Sequence, residues 1–167
     1  MAIGMRNCKP DTITWSHDGL DSKRKMVFSD LVGKEVLINK NYIKYYIKDT
    51  SYVWLVFNEC INGQGYLLKI PFNKTGNIFR KNSAFNSSDP RFSVAENLAA
   101  YTDRGNIFVE DMTTGMKATM TLGRPVEMDY TKIHDVIDSV NVTADRVWVK
   151  VKIDNDWQTM EKKITLK

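Results

Sequence analysis

The feature that most constrains this chain is a strand–turn–strand–turn–strand pattern that occurs three times in its C-terminal two-thirds. The three segments cover 51–84, 89–123 and 138–167. In each, short runs rich in Val, Ile, Thr, Tyr, Phe and Trp alternate with polar residues, and turn-forming residues separate the runs. Successive side chains of a strand point to opposite faces, so the alternation predicts half-buried antiparallel strands.

The second turn of each segment sets the period of the repeat. Gly76 and Gly115 are 39 residues apart, and Asn155 follows 40 residues later. Glycine, and less readily asparagine, adopts the positive φ that tight hairpin turns need. A period near 40 in short antiparallel strands is typical of β-propeller blades. The 167 residues make room for about four such units, which is the lower limit for a closed propeller, so a closed ring and an open stack both remain.

The first fifty residues are rich in strand signals but do not clearly repeat. Four strands are predicted there, at 12–19, 26–31, 34–39 and 42–49. The last two indicate a hairpin around 39–41, and 12–49 together make one irregular unit. Helical periodicity is nearly absent, with 130–136 as its best candidate.

The predicted fold class is therefore all-β, with antiparallel meander repeats in a single domain over 1–167. A β-propeller-like arrangement, open or closed, is favoured. The alternative is a β-sandwich or barrel with regularly spaced strands. Trp54 and Trp148 have apolar neighbours on both sides in the sequence and are predicted to lie in the core.

One motif in the second segment points to a family. It consists of DPRFS at 89–93, NLAAYTDRGNIFVED at 97–111 and the turn Thr114-Gly115. With its apolar-x-Asp step before a Thr-Gly turn, this segment resembles a blade of the TolB-like and WD-repeat-like propellers. It departs from them at 95–97, where Ala-Glu-Asn replaces the usual Asp-Gly turn. The resemblance covers about 35 residues and, because the motif is structural, implies a fold class and no function. Propellers mostly serve as interaction platforms, and the resemblance suggests such a role.

The charge balance is mildly basic. Lys and Arg number 24 against 20 Asp and Glu, which gives a net charge of +4. The basic residues are scattered among acidic ones, whereas a dedicated nucleic-acid binder concentrates them. The one dense cluster, Lys23-Arg24-Lys25, fits a solvated turn, with a polyanion site as the alternative.

The sequence offers little for metal, redox or membrane chemistry. Its two cysteines, Cys8 and Cys60, fit no zinc spacing, and it has two histidines. No apolar run approaches the roughly 20 residues of a membrane span, and the N-terminus lacks the apolar core of a signal peptide. We therefore expect a cytoplasmic protein with reduced cysteines, no cofactor, no metal and no membrane partner.

Candidate catalytic groups are sparse. His17 lies beside Asp18, but adjacent residues of a strand point to opposite faces and form no triad by themselves. His134 lies near Asp135 and Asp138, which would share a face only on a helix. The protein is therefore predicted not to be an enzyme, and a hydrolase built on these three residues remains a minor alternative.

Two groups of residues are candidates for binding a partner. The first is an acidic group: Glu127, Asp129, Asp135 and Asp138. The second is one face of the predicted strand at 42–48, which mixes aromatic and cationic side chains: Tyr42, Lys44, Tyr46 and Lys48. Such a face suits a protein interface, a glycan or single-stranded nucleic acid.

By elimination, the sequence predicts a non-enzymatic protein-binding module. Within that class, an inhibitor or immunity-type protein that neutralises a partner, such as a bacterial toxin, is favoured. Because inhibitors of basic nucleases tend to be acidic, the acidic group would have to provide the match locally. The alternative is a glycan- or nucleic-acid-binding β module that uses the 42–48 face together with 23–25.

Overall fold

The architecture comes from a computed structural model that describes residues 1–6, 9–16, 23–39, 43–47, 51–73 and 76–167. Strands make up 53% of it and helices 7%. The all-β class predicted from the sequence is confirmed.

Four sheets contain the strands of the described part. Sheet A consists of β1 (Ala2–Arg6), β2 (Lys9–Trp15) and β3 (Arg24–Val27). Sheet B consists of β4 (Lys44–Ile47), β5 (Tyr52–Asn58), β6 (Gly65–Pro71) and β7 (Phe79–Lys81). Sheet C, in spatial order, consists of β8 (Ala84–Phe85), β10 (Leu98–Asp103), β11 (Asn106–Asp111) and β12 (Lys117–Thr121). Sheet D likewise consists of β9 (Phe92–Val94), β13 (Ile137–Val142), β14 (Arg146–Ile153) and β15 (Asp156–Lys163).

Sheets B, C and D share one plan. Each holds an antiparallel three-stranded meander, and a fourth strand from earlier in the chain lies beside the first strand of that meander. The added strand is antiparallel in sheets B and C, whereas β9 is parallel to β13 in sheet D. Since each added strand comes from outside its meander, the repeats are linked to one another by backbone pairing.

Three apolar clusters show that the sheets pack face to face in chain order. One joins sheets A and B through residues such as Ile13 and Leu55. A smaller one joins sheets B and C and contains Trp54 and Ala99. The largest joins sheets C and D. The described core is therefore a layered series in which the two middle sheets are covered on both faces.

Two short helices complete the described structure. The helix α1 (Phe28–Val32) places Phe28, Leu31 and Val32 in the cluster between sheets A and B. A 3-10 helix at Tyr130–Asp135 leads into sheet D. In the described residues, no helix has the length and apolar character to cross a membrane.

The predicted strands of the three repeats are confirmed, but the first fifty residues differ from their prediction. The segment 26–31 is a strand only as far as Val27 and then forms α1, because its apolar residues continue at helical spacing. The segment 34–39 is not a strand. It is an irregular run whose Leu37 carbonyl accepts a hydrogen bond from the Cys60 amide at 2.8 Å. Two of the three residues of the hairpin turn predicted around 39–41, residues 40 and 41, lie outside the described part, and β1 was not predicted.

Two of the three turn residues that set the period have the predicted positive φ. Gly115 has φ 77° and Asn155 has φ 70°, the left-handed values that hairpin turns demand. Gly76 does not adopt a positive φ. Its amide instead donates to the side-chain oxygen of Asn73 at 2.6 Å, so the asparagine side chain stabilises that turn.

Candidate binding faces

The face of sheet D that points away from sheet C is the most distinctive surface in the described part of the chain. In β14, Val147, Val149 and Val151 point inward and are fully buried. The alternate side chains therefore point outward: Arg146, Trp148, Lys150 and Lys152. The predicted core position of Trp148 is wrong, because its apolar neighbours lie on the opposite face of the strand. Trp54 is 1% exposed, and its predicted core position is confirmed.

The neighbouring strand β15 extends this surface, here called the outer face of sheet D. Its outward side chains pair across the sheet with those of β14: Trp157, Thr159, Glu161 and Lys163. Trp157 is 45% exposed, and the Lys150 ammonium lies 5.7 Å from the centre of its ring. Arg146 contacts Glu161 at 3.6 Å. The outward side chains of two adjacent strands thus combine four cations with two indole rings.

The outer face of sheet D carries a net positive charge. Its four cations, Arg146, Lys150, Lys152 and Lys163, stand against two carboxylates, Asp138 and Glu161. The Ser139 hydroxyl, followed by Lys150 and Arg91, lowers the pKa of Asp138 and keeps it ionised. None of the three apolar clusters in the described residues includes a side chain from this face.

The four residues of the predicted acidic group make different local contacts. Asp129 caps the 3-10 helix, since its carboxylate accepts from the amide and hydroxyl of Thr131 at 2.9 and 2.7 Å. Those hydrogen bonds also lower the pKa of Asp129. Asp138 belongs to the outer face of sheet D, where Lys150 lies 3.3 Å away. Glu127 and Asp135 are exposed and have no ion pair with any other described residue. The group as a binding site stays a prediction.

The second predicted surface, at 42–48, is described only in part. Tyr42 and Lys48 lie outside the described residues. Lys44 is exposed, whereas Tyr46 is partly buried against the cluster between sheets B and C. Tyr45, which lies between them in β4, is 55% exposed. These positions remain a predicted binding surface.

The basic cluster at 23–25 lies on sheet A, at the other end of the layered series. Arg24 turns towards Trp15, with its guanidinium carbon 5.9 Å from the ring centre. Lys25 pairs across the sheet with Thr14 and lies on the opposite face, and both lysines are exposed. The three cations therefore do not form one site facing the same way, and the proposed polyanion role stays a prediction.

The structure pairs His134 with Asp89. The imidazole Nε2 lies 2.7 Å from the Asp89 carboxylate, and Nδ1 lies 3.2 Å from the Ile137 carbonyl. The imidazole also packs on Phe92 at 5.1 Å between ring centres. Asp89 is the first residue of the DPRFS motif, so the pair fastens that motif to the 3-10 helix. His17 lies outside the described residues.

We expect His134→Ala to lower the free energy of unfolding by about 2 kcal/mol, because it leaves the buried Asp89 carboxylate without this partner. Urea denaturation followed by circular dichroism measures the loss. The exposed neighbouring variant Lys132→Ala should stay within about 0.5 kcal/mol of the wild type. Equal stability of the two variants would show that the His134–Asp89 contact does not hold the motif in place.

Metal ligation has no support in the described residues, which contain no group of three or more His, Cys, Asp or Glu side chains placed to hold an ion. Cys60 is exposed with a free thiol. Cys8 lies outside the described part.

Sequence reasoning missed the outer face of sheet D. The signal was present in 147–152, where valine alternates with tryptophan or lysine at strict period two. That alternation predicts one apolar face and one face of aromatic and cationic groups. Interpreting Trp148 from its adjacent residues, rather than from those two positions away, hid the pattern.

The fold and this surface together define an all-β protein of one three-stranded and three four-stranded layered sheets, with an aromatic and cationic face at one end that no other described element covers. No family model matches the chain, and neither the curated proteins nor the solved structures contain a significant match.

Proposed function

We propose that this protein is a non-enzymatic module that binds another protein through the outer face of sheet D. The observation that carries the proposal is the pair Trp148 and Trp157, set among four cations on a terminal sheet. Tryptophan and arginine are enriched in protein interfaces and among the residues that dominate their binding energy. The partner we propose is a protein with an acidic patch, because the face itself is net positive.

The proposal also includes a more specific description of the fold and a more specific role. The shared plan of sheets B, C and D supports blade-like units of the propeller type, arranged as an open series. A rigid β module with one end available for docking suits an inhibitor that covers a partner's surface, such as an immunity protein acting on a toxin. In this proposal the surface of the partner that contacts the protein is acidic. The acidic group predicted from the sequence would instead have matched a basic partner surface.

Site-specific photocrosslinking tests the docking face in cells. Thr159 is exposed and lies opposite Lys150 near the middle of the face, so a benzoylphenylalanine there should yield a discrete crosslinked protein. The matched control is the same residue at Lys25, on the outer face of sheet A. Crosslinking of the same protein from both positions, or from neither, would contradict the proposal.

Affinity measurements with the purified crosslinked partner then test the chemistry. Trp157→Ala should weaken binding by about thirtyfold, the equivalent of the 2 kcal/mol that a hot-spot residue contributes. Lys152→Glu should weaken it by about tenfold and more at low salt, because it opposes an acidic partner. Lys25→Glu is the control for charge reversal and should leave the affinity unchanged.

Two further arms separate the alternatives. Removing the acidic group by Glu127→Gln, Asp129→Asn, Asp135→Asn and Asp138→Asn tests the interface predicted from the sequence, which requires loss of affinity in that variant. Fluorescence anisotropy with a single-stranded oligonucleotide tests the polyanion alternative. Tight binding with a steep salt dependence that is lost in Lys152→Glu would replace the protein partner with nucleic acid.

A further inference from the structure

A polar cavity lies in sheet B, away from the proposed docking face. It has a volume of ≈ 270 Å³ and is lined by Val32, Gly33, Lys34, Tyr66, Arg80 and Asn82. Its walls come from the end of α1, the strand β6 and the edge strand β7 with the residue after it. The volume is just below the roughly 300 Å³ at which small-molecule pockets begin, so any ligand would be small.

Buried polar side chains hold the lysine of this cavity in place. The Gln64 side-chain oxygen accepts from the Lys34 ammonium at 2.9 Å and from the Tyr66 hydroxyl at 2.9 Å. The Glu59 carboxylate lies 3.4 Å from the same ammonium. Gln64 and Tyr66 are 3% and 0% exposed. Polar groups buried to this degree fix the position of the ammonium.

The arginine of the cavity is placed by a glycine. The Arg80 guanidinium lies against Gly33, where a Cβ atom would be only 2.5 Å from its Nη1. Gly33 also has φ 88°, which favours glycine at this position. Nη1 donates to the Leu31 carbonyl at 3.4 Å. In the described part of the chain Arg80 has no other acceptor, so most of its five N–H groups remain available.

The charge of the cavity favours an anion. Lys34 and Arg80 supply two positive charges, and Glu59 behind them supplies one negative charge. Interaction with the Tyr66 oxygen and the charge of Glu59 raise the pKa of Lys34 against partial desolvation. Burial raises the pKa of Tyr66, so its hydroxyl keeps its proton at neutral pH.

We propose that Lys34 and Arg80 form a binding site for a small oxyanion, a phosphate or a carboxylate, which contacts the ammonium and the guanidinium together. Guanidinium groups match the geometry of both anions with paired hydrogen bonds. Asn82 lines the same cavity, and its amide group is of a type that can donate a further bond to an oxyanion. The site is independent of the docking face, because it lies in sheet B.

Titration of the intact protein with inorganic phosphate, followed by amide NMR, tests the site. The Gly33 and Asn82 amides should shift saturably, and Arg80→Gln should weaken the apparent affinity at least tenfold. Lys34→Gln should do the same. The matched control is Arg124→Gln, which removes an exposed arginine that pairs with Asp154 elsewhere. It should leave the titration unchanged.

A parallel titration with acetate distinguishes the two anions. Saturable shifts of the same amides with both probes define a general oxyanion site, and shifts with phosphate alone define a phosphate site. Shifts that do not saturate, or that persist in Arg80→Gln, would overturn the proposal. If Lys34→Gln fails to fold because Gln64 and Glu59 lose their partner, Arg80→Gln decides, since the Arg80 side chain is exposed.

Discussion

Gly65→Ala should lower the free energy of unfolding by about 3 kcal/mol, the upper part of the range for overpacking a core. Gly65 begins β6, where a Cβ atom would lie only 2.1 Å from the carbonyl oxygen of Ala84. The Ala84 oxygen is a backbone atom and the position of the added Cβ is fixed by the backbone of residue 65, so no side chain can turn aside to relieve the clash. Relief requires a shift of β8, which connects sheets B and C.

Thermal and urea unfolding measure this effect. For a chain of this size, a loss of about 3 kcal/mol corresponds to a fall in Tm of roughly 10 °C. Gly63→Asn is the control two residues away, where nothing lies within 4 Å of the added Cβ and φ is 73°. Asparagine tolerates that φ, so the control should lose less than about 1 kcal/mol. Equal losses would show that β6 and β8 do not approach as closely as described.

The meanders could be predicted from sequence because each is local. In β14, eight residues alternate without interruption, and the turns around Gly115 and Asn155 carry residues that accept positive φ. Strands of this length show their period directly.

The strands that complete the sheets could not be predicted in the same way. β8 has two residues and β9 has three, too few to display a period, and each pairs with a strand that follows it in the chain. The parallel pairing of β9 with β13 depends on tertiary packing, which the meander pattern does not encode. The five residues of α1 are likewise fewer than two helical turns, too few to establish a helical period in the sequence.

The candidate surfaces depend on the tertiary packing of the sheets, which no single segment of the sequence shows. Period two in β14 separates its two faces, but only the packing of all four sheets shows which face stays uncovered. The same holds for the cavity in sheet B, where Lys34, Gln64 and Arg80 come from three separate segments. No local pattern predicts that convergence, because it depends on the position of α1 against the sheet.

A second large loss of stability is expected from substitution of Glu110, which lies at the contact between sheets B and C. This residue of β11 is 7% exposed, and its carboxylate lies 3.0 Å from the Lys69 ammonium and 3.6 Å from that of Lys117. The Lys69 ammonium also lies 4.1 Å from the ring centre of Tyr52 and 4.8 Å from that of Trp54. Glu110 therefore balances the charge of a lysine whose ammonium lies close to two aromatic rings.

Glu110→Ala should lower the free energy of unfolding by about 3 kcal/mol, the cost of leaving a partly buried charge without its partner. Lys69→Met should be destabilising for the complementary reason, since it leaves the more deeply buried Glu110 with only the exposed Lys117. The double variant should recover about 1 to 2 kcal/mol relative to the sum of the single losses. Urea denaturation of the four proteins gives this coupling energy directly.

Glu161→Ala provides the control, because it removes a glutamate whose side chain is 49% exposed and whose arginine partner is 42% exposed. Solvent screens such a pair, so its loss should cost less than about 0.5 kcal/mol. Added salt should also leave the Glu110–Lys69 coupling largely unchanged, because buried pairs are screened much less than exposed ones. A coupling energy near zero would mean that the Glu110–Lys69 pair does not stabilise the contact between sheets B and C, which would then depend on its other contacts, such as the apolar packing of Trp54 and the Lys81–Asp103 ion pair.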